Sequence, residues 1–220
     1  MSAPVDSQTL HNKDWAEKKA SDDFYSHALR YPQFADVIAA LRPRRLLDVG
    51  CGSGYLAKLV KAGVPDVEMD GTDISDVALE RARAHFKRVW RTNLDQDPLP
   101  AETAVYDTAV CVEVLEHLYD PAYALAEIHR CLSVGGRLVA TVPNIAYWRF
   151  RLDLLRGRVP GPSADPRHLH SYDVDLFGKL LDDNGFSVVK ILGHRVRFSF
   201  LADLRPSVFS DILIAVGVRK

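Results

Sequence analysis

The stretch LLDVGCGSGYL, residues 46–56, is the segment from which the fold can be worked out. It begins with a short apolar run, which predicts a buried strand. Three glycines then alternate with other residues, and YLAKLV at residues 55–60 predicts a helix. Glycine lets the backbone turn sharply and leaves space for a ligand beside it, and the start of a helix offers unpaired N–H groups. Strand, glycine turn and helix together indicate a nucleotide-type ligand.

The spacing of the glycines argues against two common nucleotide sites. They stand at positions 50, 52 and 54, which gives GxGxG. A dinucleotide fingerprint has GxGxxG, and a phosphate-binding P-loop ends in GK[ST]. Glycine turns of this kind also occur without a ligand, so a simple tight turn is the alternative interpretation.

An acidic residue follows the glycines at an informative distance. Asp73 closes the predicted strand VEMDGTD, residues 67–73. A carboxylate about 20 residues beyond such a turn can accept hydrogen bonds from the two hydroxyls of a ribose. Ser75 and Asp76 come directly after it, so the alternative is a favourable negative charge at the start of the next helix.

Taken together, DVGCGSG at residues 48–54 and GTDIS at residues 71–75 resemble the class I S-adenosylmethionine-dependent methyltransferases. The resemblance covers residues 46–185 and extends to a small-molecule O-methyltransferase-like subgroup with ExxEH after strand four. It implies an α/β fold with a Rossmann-like, doubly wound, seven-stranded, mostly parallel sheet. In that fold the last strand is antiparallel and helices cover both faces. The resemblance also implies an enzyme that uses S-adenosyl-L-methionine.

The order of apolar segments agrees with alternating strands and helices. Gly135-Gly136 are expected to end the helix before the fifth strand, and Ser171 is expected to cap a later helix. Residues 1–9 are predicted to be disordered, and residues 12–28 to form one or two short helices. Strands are predicted at 46–49, 67–73, 89–93, 107–112, 137–142, 186–192 and 212–218, and helices from 32 and at 55–62, 76–86, 121–131, 148–155 and 171–184.

We expect a single methyltransferase domain over residues 1–220. Within it, residues 1–30 would form an N-terminal cap or tail, and residues 143–172 would form a substrate-facing insertion. The formal net charge of −1 gives no global basic surface for nucleic acid or membrane. The three cysteines lie in predicted core elements, and no apolar run suggests a signal peptide or a membrane span. These features predict a cytoplasmic protein.

The resemblance assigns a complete donor pocket to the chain. The glycines would admit the methionine end, an aspartate would lie near its ammonium, and a second aspartate would hold the ribose. Other residues would contact the adenine or flank the sulfonium. The residues are Asp48, Gly50, Gly52, Gly54, Asp73, Ile74, Asn93, Leu94, Val112 and Glu113.

The segment EVLEHL, residues 113–118, has two interpretations. Glu113, Glu116 and His117 with the later His168 resemble the residues that surround magnesium in ubiquinone-pathway O-methyltransferases and in small-RNA terminal 2′-O-methyltransferases. Such an ion could orient and acidify an acceptor hydroxyl. The same sequence also occurs across the superfamily without a metal. We favour the metal-free interpretation and retain Mg²⁺ as the alternative.

Without a metal, the candidate general bases are His117, His168 and His170, because a neutral imidazole can take a hydroxyl proton near neutral pH. The expected cap at Ser171 weakens the case for His170. A local excess of arginine would recognise a phosphate or carboxylate on the acceptor, with a solvated surface as the alternative. These arginines are at 149, 151, 156, 158, 167, 195, 197 and 205.

The leading hypothesis is O-methylation of a small hydroxylated metabolite, such as a sugar, phenol, quinone precursor or natural-product intermediate. The alternatives are a metal-dependent RNA terminal 2′-O-methyltransferase, a small-molecule N-methyltransferase and a non-catalytic partner subunit. The expected partner is a small-molecule acceptor. If the acceptor is anionic, the arginine surface would suit it. Nucleic acid and membrane are not expected, and a homodimer is left open.

Overall fold

The computed structural model describes residues 7–17, 29–195 and 199–220. The predictions for residues 1–6, 18–28 and 196–198, Arg197 among them, lie outside the described residues. Within that part of the chain, residues 7–9 belong to a helix, so the prediction of disorder up to residue 9 is wrong there.

Seven strands form a mixed sheet. They are β1 (Arg45–Val49), β2 (Glu68–Asp73), β3 (Arg88–Arg91), β4 (Tyr106–Val112), β5 (Leu132–Pro143), β6 (Phe186–Gly193) and β7 (Ile212–Arg219). Their order is β3-β2-β1-β4-β5-β7-β6. The β1–β2, β2–β3 and β4–β5 pairs are parallel, whereas β7 runs antiparallel to both β5 and β6. This arrangement confirms the predicted Rossmann-like fold with its antiparallel last strand.

Helices alternate with the strands along the chain. They are α1 (Ser7–Glu17), α2 (Tyr31–Ala40), α3 (Tyr55–Gly63), α4 (Asp76–Ala82), α5 (Pro121–Cys131), α6 (Trp148–Leu155), α7 (Gly161–Ala164), α8 (Val174–Asp183), α9 (Ser199–Leu204) and α10 (Pro206–Phe209). A 3₁₀ turn covers Leu115–His117. Among the described residues, no helix has the length and apolarity needed to cross a membrane.

The start of β5 differs from the prediction. Helix α5 ends at Cys131, and the strand begins at the next residue, so the prediction that Gly135-Gly136 end the helix is wrong. The reason is a bulge: Tyr106 of β4 pairs with Leu132, but Thr108 pairs with Arg137. The two glycines lie in the extra length of β5, where Gly135 has φ +74°.

The helix predicted from Ser171 begins later, at Val174. Asp173 is its N-cap, because the side-chain Oδ1 accepts a hydrogen bond from the Leu176 amide at 2.8 Å. Ser171 is therefore not the cap, and His170 is separated from the helix start. The earlier helix α4 ends at Ala82, shorter than the predicted end at residue 86.

The chain forms two compact units, residues 1–100 and residues 101–220. In the first unit, Leu46, Leu47 and Val49 of β1 are fully buried, as expected for a parallel strand whose residues all face apolar surroundings. In the second unit, residues 212–215 of β7 are likewise buried. The single-domain assignment and the substrate-facing role of residues 143–172 stay predictions.

Asn144 fixes the exit of β5. Its side chain is fully buried. The Nδ2 atom lies within hydrogen-bonding distance of the carbonyls of Pro206, Ser207 and Ser210, at 3.3, 3.2 and 2.7 Å. Its Oδ1 accepts from the Ala146 amide at 3.0 Å. One side chain therefore ties the start of the 143–172 segment to the chain before β7.

We predict that Asn144→Ala lowers the free energy of unfolding by roughly 2–4 kcal/mol, because several buried main-chain groups lose their hydrogen-bond partner. Urea denaturation of both proteins measures this difference. Asn184→Ala is the matched control, since the Asn184 side chain makes one bond, to the Leu180 carbonyl. Equal losses in the two variants would contradict the structural role of Asn144.

Candidate functional site

The glycine turn after β1 has a backbone that requires glycine. Gly50, Gly52 and Gly54 have φ values of +78°, +52° and +81°, a region that side chains with a Cβ rarely adopt. The Gly50 and Cys51 amides both donate to the Thr72 carbonyl, at 2.8 and 2.9 Å. Gly54 is the N-cap of α3. The turn is therefore a fixed loop attached to the end of β2.

Asp73 binds this loop directly. Its Oδ2 accepts from the Gly52 amide and its Oδ1 from the Ser75 amide, both at 2.9 Å. Ser75 in turn caps α4 by accepting from the Ala78 amide at 3.2 Å. The carboxylate thus faces the glycine loop, where ribose binding would require it, and it also organises the start of the next helix. Its role toward a ribose stays a prediction.

Asp48 is a buried carboxyl group with an unsatisfied oxygen. Its side chain is 2% exposed, and its Oδ2 has no hydrogen-bond partner among the described residues. Burial, with a smaller contribution from the charge of Asp73, raises the pKa of Asp48 to about 8. A buried carboxyl group of this kind suits a cationic ligand, because a nearby positive charge would stabilise its ionised form.

Helix α1 lies against the glycine loop. A Cβ on Gly52 would come within 2.9 Å of the Trp15 ring. The hydrogen bonds that anchor the helix include one from Ser75 Oγ to Asn12 Oδ1 at 2.8 Å and one from the Arg81 guanidinium to the Trp15 carbonyl at 3.3 Å. Trp15 therefore covers Gly52, a contact that the sequence pattern did not specify.

The three residues predicted to contact the adenine differ in exposure. Ile74 is half-buried and Leu94 is buried. Asn93 is half-buried, and its Oδ1 accepts from the Asp95 amide at 3.1 Å. The side-chain oxygen expected to meet an exocyclic amine thus already stabilises a turn. The adenine contacts stay predictions.

In the second unit, the residues after β4 adopt an unusual backbone. Glu113 has φ +55° although it is not glycine. Its amide donates to Thr141 Oγ1, and that hydroxyl donates to Glu113 Oε1, both at 3.0 Å. Such a conformation costs free energy and is often found at functional sites. Val112 beside it is buried, and the predicted roles of both residues toward a sulfonium stay predictions.

The structure brings Glu116, His117 and His168 together. Their candidate ligand atoms lie within 4.8 Å of one another, and the two imidazole centroids are 4.7 Å apart. His117 Nδ1 lies 3.1 Å from the Arg167 carbonyl, which can only accept, so Nδ1 carries the proton. In that tautomer the Nε2 atom of His117 carries no proton and can accept one. Burial, with the charge of Glu113, raises the pKa of Glu116 well above its usual range.

These residues do not fit Mg²⁺ well. Magnesium prefers oxygen ligands, whereas this group offers two imidazole nitrogens and one buried carboxyl. Glu113, the fourth predicted ligand, is not part of the group found among the described residues, and its Oε1 is bonded to Thr141. Imidazoles with a carboxylate suit zinc or another transition metal better.

His170 and Tyr172 follow His168 and bring further buried polar atoms. The Leu169 and His170 amides both donate to the Glu116 carbonyl, at 2.7 and 3.2 Å. Tyr172 is buried, and burial together with the charge of Glu116 raises the pKa of its phenol. The sequence pattern did not indicate Tyr172 as a site residue. Its position two residues after a histidine candidate was the only available signal.

The predicted arginine surface is divided. Arg151 donates to the Ala146 carbonyl at 2.6 Å, and Arg167 forms a bidentate pair with Asp165 at 2.9 and 2.7 Å. The other arginines of this segment are exposed and have no ion pair with a described residue; they are Arg149, Arg156 and Arg158. Arg195 and Arg205 are also exposed.

Sequence comparison identifies the family. Residues 24–191, more than half of the chain, match the family described as methyltransferase domain (Methyltransf_23). The chain belongs to the methyltransferase domain family. This finding confirms the resemblance drawn from the two motifs, whereas the ExxEH subgroup stays a prediction.

Relatives of this methyltransferase domain have names that state different activities. It is 32% identical over 170 residues to a probable S-adenosylmethionine-dependent methyltransferase of Mycobacterium tuberculosis, covering 77% of this chain and 57% of the relative. It is 33% identical over 122 residues to a ubiquinone biosynthesis O-methyltransferase of Alkalilimnicola ehrlichii, covering 53% and 48%. It is 39% identical over 116 residues to a tRNA U34 carboxymethyltransferase of Methylococcus capsulatus, covering 50% and 36%. The matches thus span about half or less of these relatives' lengths.

Solved structures support the fold of the methyltransferase domain. A possible histamine N-methyltransferase from Thermotoga maritima superposes with a TM-score of 0.66 and 21% identity, covering 90% of this chain and 92% of that one. At this identity the likeness concerns the fold alone.

We predict that Gly52→Ala weakens S-adenosylhomocysteine binding at least tenfold, because the new Cβ meets Trp15 and strains the loop. Calorimetric titration measures the affinity. Gly135→Ala is the matched control: Gly135 has φ +74° but nothing within 4 Å of the new Cβ. That control should lose about 1–2 kcal/mol of stability from backbone strain while keeping its affinity. Unchanged affinity in Gly52→Ala would contradict a ligand site on this loop.

We predict that Asp48→Asn stabilises the protein at alkaline pH but not below pH 4. The unfolded chain releases the Asp48 proton near 3.8 and the folded chain near 8. The wild type therefore loses stability as pH rises between these values, and asparagine does not titrate. The gain should level off above pH 8, with about 6 kcal/mol as its ceiling.

Urea denaturation at pH 4, 6 and 9 measures this effect. Asp36→Asn, at an exposed position on α2, is the control for the same substitution outside the core. A pH-independent difference for Asp48→Asn would show that the carboxyl group is not held in its neutral form.

Proposed function

We propose that this protein is an S-adenosylmethionine-dependent methyltransferase that O-methylates a small hydroxylated metabolite. Three findings support the proposal. The chain belongs to the methyltransferase domain family. The glycine loop and the buried Asp48 fit a cationic nucleoside, since Asp48 Oδ2 lacks a partner among the described residues. The observation that carries the proposal is His117, whose protonated Nδ1 leaves Nε2 able to accept a proton.

The chain's own residues would hold the donor. The glycine loop supplies a backbone of positive φ with Trp15 lying over Gly52, Asp73 offers a carboxylate beside the loop, and Asp48 provides a negative charge once it ionises. The methyl donor supplies an electrophilic methyl group and a positive charge when bound.

His117 would act on the acceptor. The hydrogen bond to the Arg167 carbonyl fixes both the tautomer and the orientation of the imidazole. Its Nε2 would take the hydroxyl proton as the acceptor oxygen gains the methyl group, which leaves a neutral ether and an imidazolium. Glu116 Oε1 lies 3.9 Å from Nε2 and would stabilise the imidazolium once ionised.

The exposed arginines favour an acceptor that carries a negative group. Arg149, Arg156 and Arg158 have no ion pair with a described residue, so their guanidinium groups remain available for a phosphate or carboxylate. A neutral acceptor such as a simple sugar would leave this surface without a role in binding.

The alternative use of the same residues is a divalent cation. Glu116, His117 and His168 converge closely enough to hold one, and the ion would replace His117 as the group that acidifies the acceptor. An RNA substrate is less well supported, because the net charge is −1. We also propose a cytoplasmic location, since all three cysteines are buried and free. The experiments below also test N-methylation and a non-catalytic role, and a homodimer stays a prediction.

We predict that His117→Asn lowers methyl transfer at least 100-fold, because the acceptor proton loses its base. The affinity for S-adenosylhomocysteine should stay unchanged. A panel of sugars, phenols and amines, scored by release of S-adenosylhomocysteine, identifies the acceptor and gives the rates. His129→Asn, on α5, is the control and should keep full activity.

A chelator separates the two uses of the site. Activity that persists in EDTA supports His117 as the base, whereas loss in EDTA with recovery on adding Zn²⁺ or Mg²⁺ supports a metal. Equal activity of His117→Asn and wild type would contradict both. Failure to bind S-adenosylhomocysteine would support a non-catalytic subunit.

A further inference from the structure

Within residues 116–172, three buried side-chain polar atoms have no hydrogen-bond partner in the described part of the chain. They are Glu116 Oε2, His170 Nε2 and Tyr172 Oη. Glu116 is 1% exposed and Tyr172 is 6% exposed. Burying such an atom without a partner costs free energy, so buried groups are usually bonded. Three such atoms in two segments that share main-chain hydrogen bonds call for an explanation.

The main chain holds these residues close together. The His170 amide donates to the Glu116 carbonyl at 3.2 Å, and the rings of His170 and Tyr172 have centroids 6.1 Å apart. Tyr172 is fixed from the other side, because its carbonyl accepts from the Ile145 amide at 2.9 Å. Main-chain contacts thus hold the three residues, although Glu116 Oε2, His170 Nε2 and Tyr172 Oη have no hydrogen-bond partner among the described residues.

We propose that Glu116, His170 and Tyr172 form a buried subsite that binds a second hydroxyl group of the acceptor. A hydroxyl both donates and accepts, so it can satisfy a phenol, an imidazole nitrogen and a carboxyl oxygen at once. This proposal rests on the proposed methyl-transfer function and specifies the acceptor that it uses.

The position of His117 sets where the two acceptor hydroxyls lie. Glu116 Oε1 is 3.9 Å from His117 Nε2, while Oε2 belongs to the subsite. In this proposal one oxygen of the carboxyl group faces the base, and the other, which has no partner among the described residues, serves the subsite. Hydroxyls on neighbouring carbons are close enough for one carboxyl group to contact both of them. The structure thus indicates an acceptor with two adjacent hydroxyls, one methylated and one held.

The test uses the full chain saturated with S-adenosylhomocysteine and two matched pairs of probes. Catechol is compared with phenol, and cis-1,2-cyclohexanediol with cyclohexanol. We expect at least one diol to bind about fivefold or more tightly than its mono-hydroxyl partner, the effect of about one added hydrogen bond. Tyr172→Phe should abolish that preference and leave mono-hydroxyl binding and S-adenosylhomocysteine affinity unchanged.

Thermal melting provides a second readout. Because the Tyr172 hydroxyl has no partner among the described residues, its removal should leave the melting temperature unchanged or raise it. Tyr119→Phe, which removes a hydroxyl from a residue 77% exposed, is the control and should alter neither binding nor melting.

Three results would overturn the proposal: no diol preference in either pair, a preference that Tyr172→Phe retains, or a clear fall in melting temperature in Tyr172→Phe. Methyl transfer to a mono-hydroxyl acceptor, without any diol preference, would overturn the subsite and leave the proposed function intact. Absence of S-adenosylhomocysteine binding would instead remove the proposed function itself.

Discussion

The hydrogen bond from the Gly52 amide to the Asp73 carboxylate is the constraint on which the first unit depends. It joins the turn after β1 to the end of β2, and the same carboxylate reaches the Ser75 amide at the start of α4. A residue with a Cβ would both strain the turn and meet Trp15, so glycine is required there. Loop shape, helix start and the position of a negative charge are thus set by one side chain.

The second unit contains buried polar side chains, among them Glu116 and Tyr172, within an apolar interior. Glu116 is almost fully buried beside another carboxyl group, which favours its neutral form, and the Leu169 and His170 amides donate hydrogen bonds to its main-chain carbonyl. Natural cores rarely keep such groups unless a ligand or a reaction requires them. The strained backbone at Glu113, held by Thr141, is consistent with the same interpretation.

The sequence predicted most of the fold because local signals and packing agreed. Apolar runs gave the strands, and the two motifs gave the glycine loop and Asp73. The errors lie where a long-range contact decides the outcome. Gly135-Gly136 resembled a helix end, but pairing with β4 drew them into a bulge. Asp173 caps a helix that Ser171 was expected to cap, because both residue types serve that role and local composition does not choose between them.

The candidate site was only partly predictable for a similar reason. Histidines and carboxylates are conspicuous in a sequence, so His117 and Glu116 were selected. Tyr172 was not, because its interest comes from burial and from the absence of a partner among the described residues, which spacing does not reveal. The contact of Trp15 with Gly52 was not predictable either, because it depends on how α1 is anchored on α4.

Strand β7 lies between β5 and β6 although it follows both in the chain. During synthesis on the ribosome, β5 and β6 are therefore complete before the strand that joins them exists. Until residues 212–219 emerge, each presents an open edge of unpaired N–H and C=O groups, the kind of edge through which unfinished chains associate with one another. The pairing of β7 with β5 and β6 is therefore the last step in forming this part of the sheet. Until that step, a chaperone would protect the newly made protein from association.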